Sequence, residues 1–330
     1  MSTTVPSHRH GGCRTGRPPA APVTVEAAVA RRAAASEPDP AVLALLDTLS
    51  RDAFLADVAT LAAHPTRRSE SAGFDEAATW AAGRLEQAGY AVSTQPVPRG
   101  GGRCRNVIGD RPGGIFTEEP PPGGVGSSDM RGGGEPRDVV LVTAHLDSIN
   151  LTGPAEPAPG ADDNASGSAG VLALARALGD HPTALDLRMI LFGGEEEGLF
   201  GSLRYVAALP ADERARVRAV VNMDMIGCRN TPDAGVLLEG AAVSQDVLDG
   251  LARAAATYTD LAVQVSLDPF NSDHVPFIDA GIPAVLTIEA ADATNPRPHT
   301  ADDTVDTVDA DLAGQILRMN LAYLVEVLGR

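Results

Sequence analysis

Histidines and carboxylates recur in five short motifs between positions 145 and 303. They read His145-Leu146-Asp147, Gly160-Ala161-Asp162-Asp163-Asn164, Glu195-Glu196-Glu197-Gly198-Leu199, Asn222-Met223-Asp224-Met225, and His299-Thr300 with Asp303 just beyond. Two imidazoles and several carboxylates at strand ends and loop starts form a donor set suited to a pair of divalent cations. Each motif also has a plainer reading. His145 and Asp147, two apart on an extended chain, point the same way, but they could also end a strand and open a turn. Asp162, Asp163 and Asn164 at a helix start could be capping residues. Glu195, Glu196 and Glu197 could favour a helix dipole. Two glutamates at a buried strand end, however, raise each other's pKa. A metal relieves one of them and leaves the other as a general base. Asp224 interrupts an apolar run, where an unpaired buried carboxylate is expensive, and ligation removes that cost. His299 sits in a Pro-flanked loop that could equally hold a surface histidine, and His274, after Ser272-Asp273, is a further candidate for the neighbourhood.

The elements that must position these residues follow from hydrophobic pattern. Asp138 to Ala144, Leu187 to Phe192 and Val217 to Met225 are near-continuous apolar runs, the signature of strands covered on both faces. Val236 to Leu238, Val263 to Val265 and Ala284 to Ile288 are further strands, and Tyr90 to Val97 with Asn106 to Ile108 form two more. Helical periodicity is expected from Ala41 onwards, over Gly73–Gly89, Ser166–Leu178, Leu199–Leu209, Ser244–Tyr258 and Thr307–Leu328. Alternating strands and helices predict an α/β fold: a single three-layer α/β/α domain whose mixed, mostly parallel sheet has helices on both faces. Motifs that follow strands belong at the carboxyl ends of such a sheet.

Composition sets the outer limits. Hydrophobic residues make up 44% of the 330 positions, enough for a sizeable core, and with aromatics at 4% that core must be built from Ala, Val and Leu. A net charge of -18 argues against nucleic-acid binding, which needs clustered basic residues. Cys13, Cys104 and Cys228 form neither a disulfide framework nor a CxxC metal motif. No transmembrane helix is expected, and no export signal is recognisable, which makes the cytoplasm the default location. Residues 1–39 read as a disordered segment, 40–330 as the catalytic domain, and 111–136 as a Pro/Gly-rich loop inserted in it.

The ordered set HLDS, PGADDNASG, EEEGLFGS, NMDMIG, SDH…F…GIPA and HTADDT resembles the di-zinc aminopeptidases of peptidase family M28 over roughly residues 41 to 328. Several spaced motifs in order are far more specific than any one alone. The resemblance implies two zinc ions, with His145 and Asp224 on one, Glu196 and His299 on the other, and Asp163 bridging them. It implies Glu195 as the general base that moves the proton of an attacking water, and Asp147 as the acid that orients His145. A cis peptide is often found after that acid in the family, which makes Asp147-Ser148 a candidate. The implied substrate is a peptide with a free N-terminus. Two places depart from the pattern: where relatives often carry an oxyanion-binding tyrosine, this chain has Pro298 and Asp268-Pro269-Phe270-Asn271. Three other readings share the fold: a di-zinc hydrolase of another amide (N-acyl or carboxypeptidase type), a glutaminyl-cyclase-like acyltransferase with one zinc, and a non-catalytic binding module.

Overall fold

The computed structural model describes residues 36–99, 102–114 and 137–329. The expected disordered segment falls outside these residues up to position 35, and so does most of the expected insert, 115–136.

The buried strands form as their composition requires. β3 (Val139–His145), β4 (Asp186–Phe192), β5 (Val217–Met223) and β8 (Ala284–Glu289) lie side by side in the order β4-β3-β5-β8, all parallel. β2 (Arg105–Arg111) joins antiparallel to β4, with β1 (Ala91–Pro96) beyond it. On the other side β6 (Gly235–Glu239) runs antiparallel to β8 and parallel to the edge strand β7 (Ala262–Ser266). The eight strands make the mixed sheet of an α/β fold.

Successive side chains on a strand face opposite sides, and the core divides accordingly. Val140, Val142 and Ala144 of β3 join Leu187, Met189, Leu191, Val221 and Met223 in one cluster, while Val139, Leu141, Ile190, Phe192 and Val220 join another. The first cluster is covered by α1 (Pro40–Leu46), α2 (Arg51–Ala62), α3 (Ala72–Gln87), α4 (Gly167–Leu178), α7 (Gln245–Tyr258) and α9 (Ala310–Leu328). The second lies under α5 (Phe200–Ala208) and α8 (His274–Asp279), where the rings of Phe192, Tyr205 and Phe277 meet at centroid distances of 5.9 to 6.2 Å. The short, exposed α6 (Ala211–Arg216) leads into β5.

The pattern from Ala41 onwards divides into two helices because Ser50 caps the second, accepting from the Ala53 N–H at 3.2 Å. The last helix starts at Ala310, not Thr307, because the Asp309 carboxylate caps it, accepting from both the Asp311 and Leu312 N–H groups. Among the described residues no helix is long and apolar enough to cross a membrane.

Candidate metal centre

Each of the four central parallel strands delivers part of the site at its carboxyl end. β3 ends on His145, with Asp147 two residues beyond; β4 runs through Gly193-Gly194 into Glu195 and Glu196; β5 is followed by Asp224. The connection after β8 carries His299, and the connection from β3 to α4 carries Asp163 in the tight turn Ala161–Ser166. This is where open α/β sheets place their ligands. His145, Asp147, Asp163, Glu195, Glu196, Asp224 and His299 are all buried.

Both histidines meet at Asp163. Its Oδ1 is 3.3 Å from His145 Nε2, and its Oδ2 is 3.1 Å from His299 Nε2. His145 Nε2 is also 3.2 Å from Asp224 Oδ1 and 3.9 Å from Glu195 Oε2. His299 Nε2 is 2.7 Å from Glu196 Oε2. The arrangement thus has two halves, His145 with Asp224 and His299 with Glu196, and one carboxylate shared between them.

The supporting shell explains how these side chains hold their places. His145 Nδ1 faces the Asp147 carbonyl at 3.2 Å and its carboxylate at 3.8 Å, so Nε2 is the nitrogen aimed into the cleft. The same Asp147 carboxylate accepts from the backbone N–H groups of Glu195 and Glu196 at 3.1 and 3.2 Å, tying the end of β3 to the end of β4. Asp303 does this for the turn, accepting from the N–H groups of Asp162 and Asp163 at 2.8 and 2.9 Å. A relay fixes Asp224: Thr143 donates to Asn222 at 2.7 Å, Asn222 to Ser272 at 3.1 Å, and Ser272 to Asp224 Oδ2 at 2.7 Å. The third glutamate faces elsewhere, because Glu197 accepts from Arg68 and Arg99 at 3.0 and 3.2 Å and from the Ser69 hydroxyl.

The electrostatics follow from burying many acids together. Burial, reinforced by the charges of Asp224 and Glu196, holds the Glu195 carboxyl well above the usual range even though His145 opposes it. Burial and the charge of Asp163 push Glu196 up to about 7. Burial also lifts Asp147 to about 6 and Asp273 to about 7. Burial disfavours the imidazolium form, but Glu196 and Asp163 overcome it at His299, which rises to about 12, and Asp224 and Glu195 do so at His145. Asp163 stays well below the ordinary value despite its burial, because both histidines face it.

Among the described residues, two groups of buried side chains could bring ligand atoms within 4.8 Å of one another: His145 with Asp163 and Glu196, and Asp162 with Cys228 and Glu289. Their hydrogen bonding separates them. In the second group Asp162 accepts from Gly227 N–H at 2.9 Å and from Asn295 at 3.0 Å, and Glu289 accepts from Cys228 N–H at 2.5 Å and from Asn230 at 2.9 Å. Those acceptors are satisfied. In the first group both oxygens of Asp163 and Oε1 of Glu196 are buried with no aligned hydrogen-bond donor. Buried acceptors without donors, facing two imidazole nitrogens, fit divalent cations.

Some of the neighbourhood lies outside the expected ligand set. Asp273 is fully buried, and its charge acts on Glu195, which makes it part of the site. His274 beside it is buried 3.3 Å from Glu239. Arg67, whose neighbours in sequence form no motif, lies fully buried behind the site. The expected cis peptide after Asp147 is not there: the cis bond among the described residues follows Asp163 instead, where the chain reverses from the β3–α4 connection into α4.

Residues 128–324 match the family described as Peptidase family M28. The chain is 32% identical over 276 residues to Leupeptin-inactivating enzyme 1 of Streptomyces exfoliatus, an alignment covering 81% of this chain and 54% of that protein. It is 32% identical over 177 residues to Aminopeptidase YwaD of Bacillus subtilis (strain 168), covering 53% of this chain and 38% of that one. The chain thus spans about half or less of the length of these relatives. Among solved structures, BSAP, a zinc aminopeptidase from Bacillus subtilis, superposes with a TM-score of 0.70 at 18% identity, covering 86% of this chain and 96% of that one. At that identity the likeness speaks for the fold alone.

Proposed function

Because the chain belongs to peptidase family M28, we propose that it is a metal-dependent aminopeptidase, hydrolysing the first peptide bond of peptides whose α-amine is free. The observation that carries this reading is the shared carboxylate of Asp163, buried without an aligned hydrogen-bond donor between His145 and His299. In this reading His145 and Asp224 would hold one divalent cation and Glu196 and His299 the other, with the Asp163 carboxylate available to both. Zinc suits a set of imidazoles and carboxylates. Bound there, the pair supplies Lewis acidity, lowering the pKa of water and polarising a carbonyl oxygen.

The remaining roles belong to the chain itself. Glu195, 3.9 Å from His145 Nε2, takes the proton of the attacking water and returns it to the leaving amine nitrogen. Asp147 orients His145 through Nδ1 and fixes the backbone of both glutamates, and so acts by positioning. The concentration of carboxylates favours a cationic substrate N-terminus.

The test is hydrolysis of a panel of aminoacyl-anilides, free and N-acetylated, before and after chelation and zinc add-back. Cleavage confined to the free amines, lost on chelation and restored by zinc, is the expected result. Equal cleavage of the acetylated set would move the activity to another amide, and chelator-insensitive cleavage would overturn the metal role.

A further inference from the structure

Arg67 precedes α3 in the stretch His64-Pro65-Thr66-Arg67-Arg68, and it is the one buried arginine among the described residues. Its guanidinium touches no carboxylate. It donates instead to four backbone carbonyls: Nε to Leu146 at 2.9 Å, Nη1 to Leu61 at 3.1 Å and to Pro159 at 2.5 Å, and Nη2 to Gly160 at 2.9 Å. Its own backbone N–H donates to Ser148 Oγ at 3.1 Å, and that hydroxyl donates to the Ala158 carbonyl at 2.7 Å. Burial lowers the guanidinium pKa only to about 10, against the pull of Asp303 and Asp147, so the group is charged at neutral pH.

The acceptors show what this group joins. Leu146 lies between His145 and Asp147, at the exit of β3. Pro159 and Gly160 open the turn that carries Asp163, and Gly160 is in the left-handed region at φ 53. Leu61 belongs to the last turn of α2, which packs against that same turn. One rigid planar group therefore ties the segment bearing His145 to the segment bearing Asp163, and anchors both to a helix. Ser148 repeats the tie between the same two segments.

We propose that Arg67 is a positioning residue of the metal centre: its fork of hydrogen bonds sets the separation of His145 and Asp163, and metal retention depends on it. The proposal rests on the reading of these two residues as metal ligands. Its geometry demands arginine. A guanidinium presents five N–H groups in a fixed plane, whereas an ammonium is a point charge on a flexible stem. Preserving the charge without the fork therefore preserves little.

The experiment measures zinc affinity of the full chain by competition with a chromophoric chelator, alongside thermal melting of the metal-free protein. The variants are Arg67→Lys, Arg67→Met and Ser148→Ala, with Leu328→Ala as a destabilised control. Leu328 is buried at the far end of the sheet, where its carbonyl accepts from Ala184 ahead of β4. Both Arg67 variants should bind zinc about tenfold or more weakly at temperatures where they are folded, with lysine giving no rescue. Ser148→Ala should weaken binding in the same direction by a smaller factor. Leu328→Ala should melt earlier with unchanged zinc affinity. Wild-type affinity in Arg67→Lys would overturn the proposal, as would a control that loses zinc as readily as the Arg67 variants. Should neither Arg67 variant fold, unchanged affinity in Ser148→Ala would overturn it. If wild type takes up no stoichiometric zinc, the failure lies with the reading of the site as a metal centre.

Discussion

Glu195 and Glu196 are neighbours of one chemical type, and their surroundings divide the proposed work between them. Glu196 lies 2.7 Å from His299 in one half of the site, while Glu195 approaches His145 only to 3.9 Å. Glu195→Gln should therefore retain both metal ions and lose kcat by roughly 100-fold or more, with little change in KM; steady-state kinetics beside metal analysis checks this. Glu196→Gln should instead shed one ion. Asp147→Asn should weaken metal affinity by about 10-fold to 100-fold, because the amide cannot accept from both glutamate N–H groups and still face His145. A variant that binds zinc as tightly as wild type would contradict that positioning role. These candidates were legible because the acids and histidines recur in order after apolar runs. Arg67 was not, because its partners are backbone carbonyls and carbonyls leave no trace in residue type. Asp273 was visible within the SDH motif, but nothing in that spacing says that it would be fully buried and act on Glu195.

Elements were legible in proportion to how much of their surface is buried. β3, β4 and β5 are near-continuous apolar runs, and their expected bounds differ from the observed ones by a residue or two at the ends. At β5 the difference is Asp224 and Met225, which the apolar pattern included in the strand and which the structure places just beyond its last residue, Met223. The helices α6 and α8 escaped because six residues give too few turns for a periodic pattern. Helix starts were set by caps more than by apolar content. Asp309→Ala should cost about 0.5–2 kcal/mol of stability, since one carboxylate satisfies two N–H groups of α9 and pairs with Arg229 at 2.6 Å. Urea unfolding measures the loss, and an unchanged midpoint would contradict it. The zinc affinity of the folded variant should not move.

At the scale of the whole molecule, the sheet gathers buried carboxylates and two histidines from four strand ends and leaves several carboxylate oxygens without an aligned donor. A fold arranged this way gains stability from cations that bind only the native state. Zinc at about one hundred times its dissociation constant should stabilise by about 2.7 kcal/mol, raising the melting temperature by several degrees, and chelation should reverse the rise. The central claim is that two ions share Asp163. Native mass spectrometry of the zinc-loaded full chain, wild type beside Asp163→Ala, tests it most directly. The account predicts two zinc ions per wild-type chain and at most one in the variant. One ion or none in wild type, or two retained without the Asp163 carboxylate, would contradict it.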